Sequence, residues 1–76
     1  MFEAEWLDMF ADNLRDIMLE WGDSQSSLAE AAGITQAAIS RYLNKKHMPD
    51  LRSIINLAYA LDMTVDELID FGDMLY

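Results

Sequence analysis

A chain of 76 residues forms one domain at most, and a domain that short buries only about 60% of its unfolded surface, so self-association is expected to supplement its core. Hydrophobic residues make up 53% of the sequence and include Phe2, Trp6, Phe10, Trp21 and Phe71, which excludes a disordered tail. The 14 acids against five Lys and Arg give a net charge of −9, and the lack of cysteine excludes disulfides, thiolate metal sites and a cysteine nucleophile.

The first predicted helix covers residues 3–21, where Phe2, Trp6, Phe10, Leu14, Ile17 and Trp21 recur at steps of three and four as an apolar stripe. Asp8, Asp12, Asp16 and Glu20 stand four apart on another face, a mildly self-repelling row that Arg15 relieves slightly. Gly22 ends this helix, and Asp23 and Ser24 offer caps for a second over 25–32. Gly33 then stops the second helix, because glycine takes a positive φ without steric penalty. Thr35 is a good N-cap for a third helix over 36–43.

Asn44-Lys45-Lys46-His47-Met48-Pro49 reads as a loop. Pro49-Asp50 resembles a helix start, and Leu51, Ile54, Ile55, Ala58 and Leu61 supply the buried face of a fourth helix over 51–61. For the fifth, over 65–71, Thr64-Val65-Asp66-Glu67 is a capping box, with Met63 and Leu68 as the hydrophobic staple. Gly72 is expected to end it. Met9, Met18, Met48 and Met63 are expected to pack inside. No strand candidate remains, so the fold class is all-α. No apolar run approaches the roughly 20 residues that span a membrane, and the start Met-Phe-Glu-Ala-Glu is acidic where a signal peptide needs positive charge. A soluble, cytoplasmic protein is expected.

The charge is unevenly spread. Residues 1–30 carry eight acids and one base, and residues 50–76 carry six acids and one base. Residues 31–49 carry no acid, three bases (Arg41, Lys45 and Lys46) and His47. With a Debye length of about 8 Å at physiological salt, such a local cationic island acts while distant acids are screened.

The island overlaps the segment QSSLAEAAGITQAAISRYLN, residues 25–44. Two helices crossing at about 90–120° through a turn of roughly three residues impose a pattern. Apolar side chains must point inward, here Leu28, Ala32, Ile34, Ile39 and Tyr42. A small residue must stand where the helices approach, here Ala29, and the turn needs left-handed backbone, here Gly33. This segment, with MPDLRSIINLAYALDMTVDELI after it, resembles the phage-repressor helix-turn-helix family, the Cro-like or xenobiotic-response-element type, over roughly residues 13–69. The sequence departs from that family at Lys45, where many members carry glycine, and in its acidity.

The resemblance implies a single lambda-repressor-like DNA-binding domain of five helices over residues 1–76. It implies a sequence-specific, double-stranded DNA-binding transcriptional regulator, a repressor, with helix 36–43 in the major groove. Gln36, Ala37, Ser40 and Arg41 would then meet base edges, with Thr35 near the backbone. Glutamine matches adenine N6 and N7, arginine grips guanine O6 and N7, and Ala37 suits a thymine methyl. Gln25, at a helix N-terminus, suits a phosphate oxygen. Asn44, Lys45 and Lys46 would clamp the backbone.

Phe2, Trp6, Phe71, Met74, Leu75 and Tyr76 lie outside or at the margin of the family pattern, and an apolar set of that size is costly to leave in water. They are expected to contribute to a homodimer interface that sets two reading helices in successive major grooves about 34 Å apart. Catalysis is not expected. His47 is the one histidine, so no metal site or triad follows, and there is no glycine-rich phosphate loop. No cofactor is expected either. The competing reading is an acidic protein-binding module, an anti-repressor or adaptor, that keeps the fold without binding DNA. The acid-free helix 36–43 weighs for DNA.

Overall fold

The computed structural model describes residues 3–69, with side chains described from residue 4. Five helices follow in order: α1 (Glu3–Trp21), α2 (Gln25–Ala32), α3 (Gln36–Leu43), α4 (Leu51–Ala60) and α5 (Val65–Leu68). There is no strand among the described residues. Two ends differ from expectation. Leu61 caps α4 instead of extending it, and Ile69 caps α5 where a helix to 71 was expected. The proposed stop at Gly72 lies outside the described residues.

Four of the five helices end by one device. The backbone turns left-handed at Gly22, Gly33, Lys45 and Asp62, with φ of 73, 68, 60 and 55°. In each case the next amide reaches back to an open carbonyl: Asp23 to Met18, Ile34 to Ala29, Lys46 to Arg41 and Met63 to Ala58, at 2.8–3.1 Å. Glycine enters this region freely, whereas Lys45 and Asp62 do so against the clash of their own Cβ. The starts are equally regular. Ser24, Thr35, Asp50 and Thr64 accept the amides of Ser27, Ala38, Ser53 and Glu67.

With ends so defined, the helices bury one face each. α2 packs against α3 and α4, α1 against α3 and α5, and α4 against α5. Phe10 and Leu14 of α1, Leu28 of α2, Ile39 of α3, Leu57 of α4 and Leu68 of α5 are fully enclosed. Phe10 stacks on Trp6 at 5.2 Å and meets Tyr42 edge-on at 6.4 Å, an arrangement favoured by the ring quadrupoles. Asn13 donates its amide to the Leu68 carbonyl and so fastens α5 to α1. Among the described residues no buried side-chain polar atom lacks a partner.

Three expected core residues are not in the core: Trp21, Leu51 and Ile55 are exposed. Helix α1 has 19 residues, whereas α2 to α4 have eight, eight and ten, so its last turn overhangs the bundle with both Leu19 and Trp21. In α4 the buried positions are Ile54, Leu57 and Ala58, followed by Leu61 at its cap. Leu51 and Ile55 belong to an adjoining arc, about 60° and 100° round the helix from Ile54, that no other described helix covers. Met18 is buried, and Met9, Met48 and Met63 are partly so.

The cap of α4 gives this fold an acid dependence. Asp50 accepts the Ser53 amide at 2.8 Å, and this bond above all holds its carboxyl below the ordinary value of 3.8. A carboxyl lowered on folding stabilises the fold above its unfolded value, and that contribution is lost as pH falls through the folded value. Asp50→Asn keeps a capping oxygen but does not titrate. Urea midpoints followed from neutral pH to below 3.8 are expected to fall further for the native chain than for Asp50→Asn. Parallel curves would show that the cap carries no acid dependence.

Candidate nucleic-acid interface

The chain passes from α2 to α3 in three residues, Gly33, Ile34 and Thr35. A Cβ on Gly33 would meet nothing within 4 Å, so glycine is favoured here by its φ of +68° and not by crowding. Ile34 packs partly against the core. Thr35 returns to extended backbone and accepts the Ala38 amide at 3.0 Å, which fixes the direction in which α3 departs. Leu28, Ala29, Ala32, Ile39 and Tyr42 are buried beneath this turn. That burial turns the other side of α3 outward: Gln36, Ala37 and Arg41 are exposed and Ser40 is half-exposed. These four stand at i, i+1, i+4 and i+5, one side of a helix.

Gln25 and Gln36 are the first residues of α2 and α3, and no hydrogen bond joins them. Each stands at a positive helix end, where four backbone amides lack partners within the helix. Thr35 is exposed beside Gln36.

The loop after α3 is more committed than its sequence shows. Asn44 donates its side-chain amide to the Ser40 carbonyl at 2.9 Å and to the Ser40 hydroxyl at 3.2 Å, closing the last turn of α3. Lys45 swings its ammonium onto α1, 3.3 Å from an Asp8 oxygen and 3.5 Å from an Asp12 oxygen. The hydrogen bond that the Lys45 ammonium donates to Asp8, with the charge of both acids, raises its pKa above the ordinary value. Arg15 of α1 donates to the Leu43 carbonyl at 3.1 Å, a cation at the negative end of α3. His47 lies nearly parallel to the Tyr42 ring at 6.2 Å. Neither Arg41 nor Lys46 has a carboxylate within 4.0 Å among the described residues. No group of acids and histidine there is placed to hold a metal ion, and no helix is long and apolar enough to cross a membrane.

A family model described as "Helix-turn-helix" matches residues 14–68. This chain belongs to the helix-turn-helix family. The match to the Cro-like type takes in α2, the turn and α3 together with the rest of the bundle from Leu14 onward. The chain is 31% identical over 61 residues to YqaE of Bacillus subtilis (strain 168), described as an uncharacterised HTH-type transcriptional regulator. That alignment takes in 80% of this chain and 53% of YqaE, so the chain spans about half the length of this curated relative. Among solved structures it is similar to the restriction-modification controller protein C.AhdI from Aeromonas hydrophila, with a TM-score of 0.78 and 31% identity. That likeness covers 82% of this chain and 94% of the controller protein.

Within this helix-turn-helix domain, Gln25, Thr35, Gln36, Ala37, Ser40 and Arg41 gather around the starts of the two motif helices and the outer side of α3, with Asn44 and Lys46 at its far end. Between these two, Lys45 turns its ammonium onto its carboxylate partners on α1. Trp6 packs partly on its own core against Phe10, while Phe2, Phe71, Met74, Leu75 and Tyr76 lie outside the described residues. One surface escaped the reading of the sequence. Leu51, Ile55 and Tyr59 form an apolar row on α4 that is 69%, 48% and 86% exposed. Its spacing of four was visible in the sequence, but the spacing alone also fits burial.

Proposed function

We propose that this chain is a sequence-specific regulator of transcription that binds double-stranded DNA with α3 in the major groove and represses by occupying its site. The observation that carries this reading is the outer side of α3: Gln36, Ala37, Ser40 and Arg41 stand clear of the core, with no acid among them. Glutamine and arginine at the first and sixth positions of a helix suit adenine and guanine edges. Gln25 and Thr35 at the motif's two helix starts, with Asn44 and Lys46 beyond α3, supply backbone contacts. The descriptions of YqaE as a transcriptional regulator and of C.AhdI as a controller protein support the same class. The reading is non-enzymatic and its setting is the cytoplasm.

Gln36→Ala and Arg41→Ala are each expected to lose about 1–3 kcal/mol of discrimination at one base pair of the bound site. Lys46→Ala should instead weaken binding to all sequences alike. Competition titrations against single-base variants of the site measure both. An Arg41→Ala protein with unchanged preference and affinity would remove Arg41 from the reading surface.

A homodimer completes the reading, since one small domain covers only half of a two-fold site. The α4 row supports a second copy of this chain as the occupant. In an antiparallel crossing of two α4 helices centred on Ile55, each Leu51 meets the other Tyr59. The apolar row thus matches itself about a two-fold axis. Sedimentation is expected to give twice the chain mass of 8.7 kDa for the native protein and the single mass for Ile55→Glu. If deletion of residues 73–76 gives the single mass and Ile55→Glu does not, the termini and not α4 hold the dimer.

A further inference from the structure

Lys45 poses a question that the reading of α3 leaves open. It occupies a left-handed position, with φ of 60°, where glycine would be free of strain. Unlike glycine, the residue here carries a cation, and the structure shows where that cation goes. Its ammonium is held by Asp8 and Asp12, two carboxylates one turn apart on α1. Together the three groups carry a local charge of −1 where Lys45 alone would carry +1. Of the cations between residues 31 and 49, only Arg41 and Lys46 are left without a carboxylate partner among the described residues.

We propose that Asp8 and Asp12 are affinity-setting residues that stand in for DNA phosphate and compete with it for Lys45. This rests on the DNA-binding reading given above. The chemistry of the two acceptors is the same: an anionic oxygen that takes a hydrogen bond from the ammonium. The geometry keeps the competition open. Both carboxylates are more than half exposed, at 62% and 63%, so the pair is hydrated and screened. Exposed pairs of this kind are not locked, so phosphate can reach the ammonium, but only at the expense of both carboxylates. Asp8 and Asp12 act through Lys45 and are positioning residues, not contacts to DNA.

The consequence is a lower electrostatic share of binding. Because that share supplies essentially all non-specific affinity, the acids restrain binding to arbitrary DNA. Neutralising about two phosphates per subunit gives a log–log salt slope near −2, and freeing Lys45 adds one contact and steepens it towards −3.

The test uses the full chain and a random-sequence duplex, followed by fluorescence anisotropy from about 50 to 200 mM salt. Four proteins are compared: native, Asp8→Asn/Asp12→Asn, Lys45→Met, and the triple variant. Circular dichroism establishes that each keeps its helices. The double variant is expected to bind more tightly at low salt and to lose about threefold more affinity per subunit across that salt range than the native chain. In the Lys45→Met background the same two substitutions should leave the slope unchanged. A gain that persists without Lys45 would mean general repulsion by α1 and would overturn the competition. An unsteepened slope in the double variant would do so as well. If all four folded proteins ignore the duplex, the DNA-binding reading itself fails, and the proposal with it.

Discussion

The outward side of α3 depends on the angle at which α3 leaves α2, and that angle is set within three residues. Gly33 turns left-handed and lets the Ile34 amide reach back to Ala29 at 3.1 Å. Thr35 then returns to extended backbone and caps α3 through Ala38. The two bonds face opposite ways along the chain, one closing a helix and the other opening the next. Ile39 and Tyr42 can reach the core beside Leu28 and Ala32 only with this turn between them. Their burial in turn fixes which side of α3 looks outward. Gln36 and Arg41 thus owe their outward position to residues enclosed in the core.

Much of this was legible in the sequence because it is written in local chemistry. Left-handed glycine at position 33, threonine at 35, and the reciprocal Thr64 and Glu67 are signals that span four residues or fewer. The three-to-four stepping of Phe10, Leu14 and Ile17 gave an all-helical class for the same reason. The capping box of Ser24 and Ser27 went unread, since its second member is serine where glutamate or glutamine is the usual sign. The exposed row of Leu51, Ile55 and Tyr59 was misread on more general grounds. Helical spacing says which residues share a side, but only packing decides how wide an apolar arc the neighbours cover.

The tie between Lys45 and α1 belongs to neither level. Asp8 and Asp12 precede Lys45 by more than thirty residues, and no local pattern links them. In the sequence the acids form a self-repelling row and the lysine part of a cationic island. In the fold each relieves the other, and Arg15 adds a second tie at the Leu43 carbonyl. A chain of net charge −9 thus places Asp8 and Asp12 beside the end of α3 without placing any acid upon that helix.

The role proposed for the outer side of α3 is to read a DNA sequence. Its most direct measurement is selection from a randomised duplex pool at low salt, with Gln36→Ala/Arg41→Ala beside the native chain. Enrichment of a two-fold symmetric site by the native protein, lost in the double variant, is the predicted result. A folded native protein that enriches no sequence would contradict the claim, as would a double variant that enriches the same site equally well.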